Sequence, residues 1–196
     1  SVNPNHLEAL SMRAALAYVE GRTADHDAAV AAALKIHPTY GEIHRVVGSI
    51  TAHYYRFDEA VEHVRKGIAL DPANAKSHAD LGAHLMRTGD ERSARRALET
   101  AYKSDPWNVV TFNLLGLLDR LEPFDTIREG DMVIRLHPDE QGVMRQYVPQ
   151  LAKESLDALS KRWEFTPKGP ILIEMFPIHD DFAVRTLGLP GMIGAL

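Results

Sequence analysis

Three prolines stand at equal intervals of 34 residues, Pro38 in "KIHP", Pro72 in "ALDP" and Pro106 in "KSDP". A proline offers no N–H to a helix, so each one ends a helical run and opens the next connection. The stretches between them, "EIHRVVGSITAHYYRFDEAVEHVRKGIALDP" and "KSHADLGAHLMRTGDERSARRALETAYKSDP", carry one pattern twice. Aligned on the prolines, Gly48 falls over Gly82, Val47 over Leu81, Ala60 over Ala94, Val64 over Leu98 and Gly67 over Ala101. Glycine and alanine in those columns let two helix backbones approach closely. "YRFDEA" and "RTGDERS" supply the turn between the helices, with Asp58 and Asp90 placed to cap the second helix and Gly89 suited to a positive φ. A helix, a turn and a helix in this period cannot bury an apolar face alone, so the units must stack.

In its period and its Gly, Ala, Ala and Pro columns the chain resembles the tetratricopeptide repeat family. The match is best for residues 41–106. It departs from the motif where His44 and His78 replace the usual large aromatic of the first helix and where Thr51 and Leu85 replace tyrosine. Residues 7–40 fit less closely, because His26 occupies the small-residue column; they read as a degenerate repeat, either a cap or an inner repeat exposed by truncation. The expected organisation is residues 1–121 as repeats (7–40 degenerate, 41–74, 75–108, and a solitary helix 109–121 with Gly116 in the glycine column) and residues 122–196 as a second segment.

That second segment breaks the period. Around "EGD", Ile127, Met132, Ile134 and Leu136 alternate with Arg128 and Arg135, which predicts a β-hairpin turning at Gly130. Val148, Ala152, Leu156, Leu159 and Trp163 recur at helical spacing, with Pro149 expected in a first turn or at a kink. "GPILIEMFP" reads as a buried strand, and "HDDFAVRTLG" as a short helix with Asp180 or Asp181 near its cap and Gly188 just past its end. The fold class is therefore mainly α, a right-handed stack of tetratricopeptide hairpins followed by a small, incomplete α+β segment. Residues 122–196 are similar to the N-terminal part of the gluzincin-type, peptidase MA-like domain that follows such repeats in some bacterial proteins. The resemblance implies a further edge strand and a zinc-binding HExxH helix, and the sequence stops before that motif.

Little catalytic chemistry is legible. No two histidines stand four apart, the spacing that brings both imidazoles to one zinc on a helix face. Glu59 with His63 and Asp80 with His84 have that relation and read as ordinary helical pairs, and "IHDD" at residues 178–181 reads as helix capping. There is no G-x-S-x-G and no phosphate loop, and the chain has no cysteine. No catalytic residue, metal site or cofactor is assigned. Acidic residues outnumber basic ones 27 to 22, spread along the chain, so no basic stripe suits nucleic acid. No segment approaches the roughly 18 apolar residues of a membrane span. The compartment stays open, with the cytoplasm favoured.

The resemblance places partners on the face formed by the first helix of each pair. The side chains expected there are Glu42, Arg45, Ser49, His53, Lys76, Ala79, Ala83 and Arg87, followed by Asn113 and Arg120. The arginines and lysine would meet a partly acidic extended peptide, while Asn113 would hold its backbone. The chain thus reads as a scaffold for protein or peptide binding without activity of its own; the alternative is the non-catalytic front part of a zinc metallopeptidase. An unpaired strand at Ile171–Phe176 and the apolar "LPGMIGAL" predict pairing with a second copy.

Overall fold

The computed structural model describes residue 3 and residues 5–191; the last five residues of "LPGMIGAL" lie outside them. The chain divides into two compact units, one through Leu115 and one from Gly116 onward.

The first unit is a stack of helical hairpins. Helix α1 (Leu7–Val19) pairs with α2 (Thr23–Ile36), α3 (Glu42–His53) with α4 (Phe57–Leu70), and α5 (Ala75–Thr88) with α6 (Glu91–Ser104). Helix α7 (Val109–Leu121) contains the division between the units. The glycine columns act as the sequence requires: a Cβ on Gly48 would stand 2.7 Å from Val64 Cγ2, and one on Gly82 would stand 2.6 Å from Leu98 Cδ2. Ala60, Val64, Ala94 and Leu98 are fully buried beneath them.

Each hairpin turns through one residue with positive φ, and these residues are themselves 34 apart: Gly21 (+74°), Tyr55 (+59°) and Gly89 (+84°). Tyr55 is 81% exposed, so little packing offsets the strain its Cβ meets in that conformation. Tyr55→Gly should stabilise the first unit by about 0.5 to 1 kcal/mol, read from the denaturant midpoint. Asp90 caps α6 as expected, accepting from the Ser93 N–H at 3.1 Å. Asp58 does not cap α4, because the helix already begins at Phe57 behind an Arg56 N-cap, two residues before Asp58, and leaves Asp58 in its first turn. Caps that the sequence reading passed over are Asn74, accepting from Ser77 N–H at 3.0 Å, and Asn108, accepting from Thr111 N–H at 3.0 Å.

The second unit is built on a three-stranded sheet in the order β1-β2-β3, with β1 Asp125–Glu129, β2 Met132–Leu136 and β3 Ile171–Met175. β1 and β2 form the antiparallel hairpin, and α8 (Gln141–Trp163) then carries the chain over so that β3 pairs parallel to β2. The expected unpaired strand is therefore corrected: Ile171–Met175 is hydrogen-bonded along one edge, which removes the ground given for pairing of two copies on that side. Met132, Ile134 and Leu136 point to the α8 face and are buried there with Val148. The helical stripe is only half covered, since Val148 is buried while Leu159 and Trp163 are 53% and 69% exposed. Pro149 lies inside α8 rather than in its first turn, where its missing N–H deprives the Arg145 carbonyl of an intrahelical donor.

On the opposite sheet face, Glu174 sits between two arginines. Arg135 Nη1 approaches Glu174 Oε1 at 3.3 Å, and Arg185 Nε donates to Oε2 at 2.5 Å from α9 (His179–Leu187). All three side chains are largely buried, at 13%, 7% and 11% exposure for Arg135, Glu174 and Arg185. Gly188 closes α9 with a positive φ, as its position suggested.

Candidate functional site

On α3, Glu42, Arg45, Ser49 and His53 recur at intervals that bring them to one face, and α5 sets Lys76, Ala79, Ala83 and Arg87 at comparable intervals. The structure gives the two helices a direct charged link. Arg45 holds Glu42 with both arms of its guanidinium (Nε to Oε2 at 2.7 Å, Nη2 to Oε1 at 2.5 Å) and reaches across to Asp80 on α5 (Nη1 to Oδ2 at 2.6 Å). The hydrogen bonds that Arg45 donates to Glu42 raise its pKa further, with Asp80 adding to them against the cost of burial. Arg45 is therefore a clamp between helices with its charge already matched. The preference for acidic peptide that it was expected to give is weakened accordingly.

The remaining expected residues divide. His53 is exposed, and its Nδ1 lies 2.8 Å from the Ser49 carbonyl oxygen. Arg87 places its guanidinium 5.6 Å from the centre of the Phe57 ring, a cation–π contact. Asn113 is half-buried on α7. Arg120 belongs to the second unit, where its Nε donates to Asp181 Oδ1 at 2.7 Å. Asp181 is thus an ion-pair partner and Asp180 accepts from Gly191 N–H at 3.0 Å; both stand in the first turn of α9, near its start as expected, without a side-chain hydrogen bond that caps it.

Lys76 is exposed and opens onto a groove of about 540 Å³ at the N-terminal ends of α3 and α5. Glu42, Tyr40 and Gly41 line it from one repeat and Asn74, Ala75 and Lys76 from the next; His37, Asp71 and Asp105, the residues before the periodic prolines, line it too. The aspartates were missed as site residues, although their column was legible in "DP". A second groove of about 360 Å³ lies in the other unit, lined by Leu151, Leu156 and Leu159 of α8 and Ile171, Ile173 and Met175 of β3.

Neither helical acid–histidine pair forms a shared site. Glu59 accepts from the Tyr18 hydroxyl at 2.6 Å and from Arg56, while His63 is buried. Asp80 is taken by Arg45, and His84 keeps a buried Nε2 without a hydrogen-bond partner, burial lowering its pKa. Among the described residues no group of three or more metal-ligating side chains is placed to hold an ion, and no helix is long and apolar enough to cross a membrane.

No family model and no curated protein matches the chain. Among solved structures, it is similar to a mutant O-GlcNAc transferase of Thermobaculum terrenum, with 22% identity over 62% of this chain and 24% of that one and a TM-score of 0.46. It spans about a quarter of that transferase. It is also similar to the first TPR of Spaghetti (RPAP3) bound to an HSP90 peptide, with 15% identity over 60% of this chain and 96% of that one and a TM-score of 0.48. A third is MamA, with 18% identity over 83% of this chain and 84% of that one and a TM-score of 0.46.

Proposed function

We propose that this chain is a tetratricopeptide-type scaffold that binds an extended protein segment along the α3 and α5 face of its first unit, without catalysis of its own. The observation that carries the reading is the groove at the starts of α3 and α5. It is open, it is bordered by the exposed Lys76 and by Glu42, and it runs over the repeat connections, so an extended chain would meet the same column of residues more than once. Asp71 and Asp105 bring negative charge and Lys76 positive charge to it. A segment of mixed polarity suits that lining better than a purely acidic one. The alternative, a front part of a zinc metallopeptidase, draws no support from the comparisons.

Peptides selected from a random library on the full chain should bind a Lys76→Glu variant about tenfold more weakly or worse, a loss of roughly 1.4 kcal/mol or more. The melting temperature should not change, because Lys76 is exposed. Peptides that bind both proteins equally would put binding elsewhere and sink the reading.

A further inference from the structure

Four helices of the first unit each send one ring into a common cluster. Tyr18 comes from α1, His26 from α2, His44 from α3 and His63 from α4. The Tyr18 and His63 rings stand 4.4 Å apart edge to face, Tyr18 and His26 5.2 Å, His26 and His63 5.8 Å, and His44 and His63 6.2 Å. His63 is 4% and His26 9% exposed. His26 Nδ1 lies 3.0 Å from the Ala14 carbonyl oxygen, which ties the first hairpin's two helices together. Nδ1 of His44 and Nδ1 of His63 are buried with no hydrogen-bond partner.

We infer that this ring cluster is an acid-sensitive lock between the first and second helical hairpins, holding α1–α2 on α3–α4 while the His44 and His63 imidazoles are neutral and releasing them when these two are protonated. A proton on either orphaned nitrogen would create a buried cation with no acceptor for it. The charged and titratable groups around the cluster do not relieve it. From α4, Lys66 adds positive charge beside both imidazoles, and Arg56 lies over the Tyr18 ring at 5.1 Å. Glu59 is the counter-charge that acts on His63, but its carboxylate is already bonded by Arg56 and by the Tyr18 hydroxyl, which hold its pKa down at about 2. Glu62 acts on Tyr18, whose hydroxyl burial keeps protonated, and from α2 and α3 come only further imidazoles.

Burial foremost, then Lys66, lowers both His44 and His63 to about 4. In the opened state each returns toward about 6.5. The folded values are the lower ones, so the lock is at full strength above about 6.5 and is lost as pH falls from there toward 4. Across that window the opening constant should rise about tenfold per pH unit for each imidazole.

Amide hydrogen exchange on the full chain, corrected for intrinsic rates, tests this at pH 7 and pH 5. Residues 7–36 should lose at least tenfold in protection at pH 5 while the α5 and α6 amides hold theirs. A His44→Phe, His63→Phe variant, with rings that do not titrate, should abolish the difference. Should that variant fail to fold, NMR titration of the unaltered protein still decides, since both imidazoles must stay neutral well below pH 6. Unchanged protection of residues 7–36 at pH 5, equal loss across all six helices, a pH effect that survives in the variant, or titration of both imidazoles near 6.5 would each overturn the inference.

Discussion

Gly41→Val should destabilise the first unit by about 3 kcal/mol or more, the largest single effect expected at a position outside the apolar core. Gly41 immediately precedes α3 and faces Gly67 near the end of α4, and there the two backbones touch. A Cβ on Gly67 would stand 2.7 Å from the Gly41 carbonyl oxygen, and one on Gly41 would run into the Gly67 carbonyl and come within 3.2 Å of Asp71 Cβ. These obstacles are backbone, so no rotamer change relieves them and the helices must separate. The φ of Gly41 is an ordinary −64°, so the cost arises from crowding rather than from conformation. Gly142→Ala is the matched control: it lies in the first turn of α8 with nothing within 4 Å of a new Cβ, and it should be neutral or stabilising by up to about 1 kcal/mol. Chemical denaturation of both variants decides; a Gly41→Val protein as stable as the parent would mean that α3 and α4 do not approach this closely.

Ile134→Ala should cost about 2 to 5 kcal/mol, the range for emptying a filled core site. Ile134 is fully buried at the centre of β2, paired with Ile127 on one side and Ile173 on the other. Among the described residues its buried cluster is small, Met132, Leu136 and Val148 being the other buried members. A loss of that size is comparable to what so small a core supplies. Amide exchange in β2 and β3 should therefore accelerate by a hundredfold or more, and Leu172→Ala, at a position 36% exposed, should leave it nearly unchanged. Similar exchange in the two variants would contradict the packing described.

The hairpin stack was legible because its information is local and repeated. Pro38, Pro72 and Pro106 mark helix ends by covalent chemistry, and Gly48 and Gly82 mark crossings by size, each at the same offset. Pairing over distance was not. Nothing in "ILIEM" says that it lies parallel to "MVIRL", because a strand pattern gives the face of a side chain and not the identity of its neighbour. Asp80 likewise sits in a helical stripe that hides its bond to Arg45 thirty-five residues earlier. His44 stood out only as a departure from an aromatic position; that three imidazoles from three helices meet is a property of the stacking. Asp58 was misplaced by two residues from the Arg56 cap, within the usual uncertainty at a helix start.

The Arg135, Glu174 and Arg185 arrangement has a consequence for assembly fidelity. Arg135 and Glu174 are direct partners across the β2–β3 ladder. Sliding β3 by one position would set the carboxylate beside Ile134 or Leu136 and turn it into the dry side of the sheet, away from both guanidinium groups. Buried ions stabilise little by themselves, yet they make a wrong alignment far worse than the right one. For a strand that joins its neighbour only after the whole of α8 has intervened, that discrimination acts as a proofreading step, rejecting near-miss pairings that hydrophobic residues alone would tolerate.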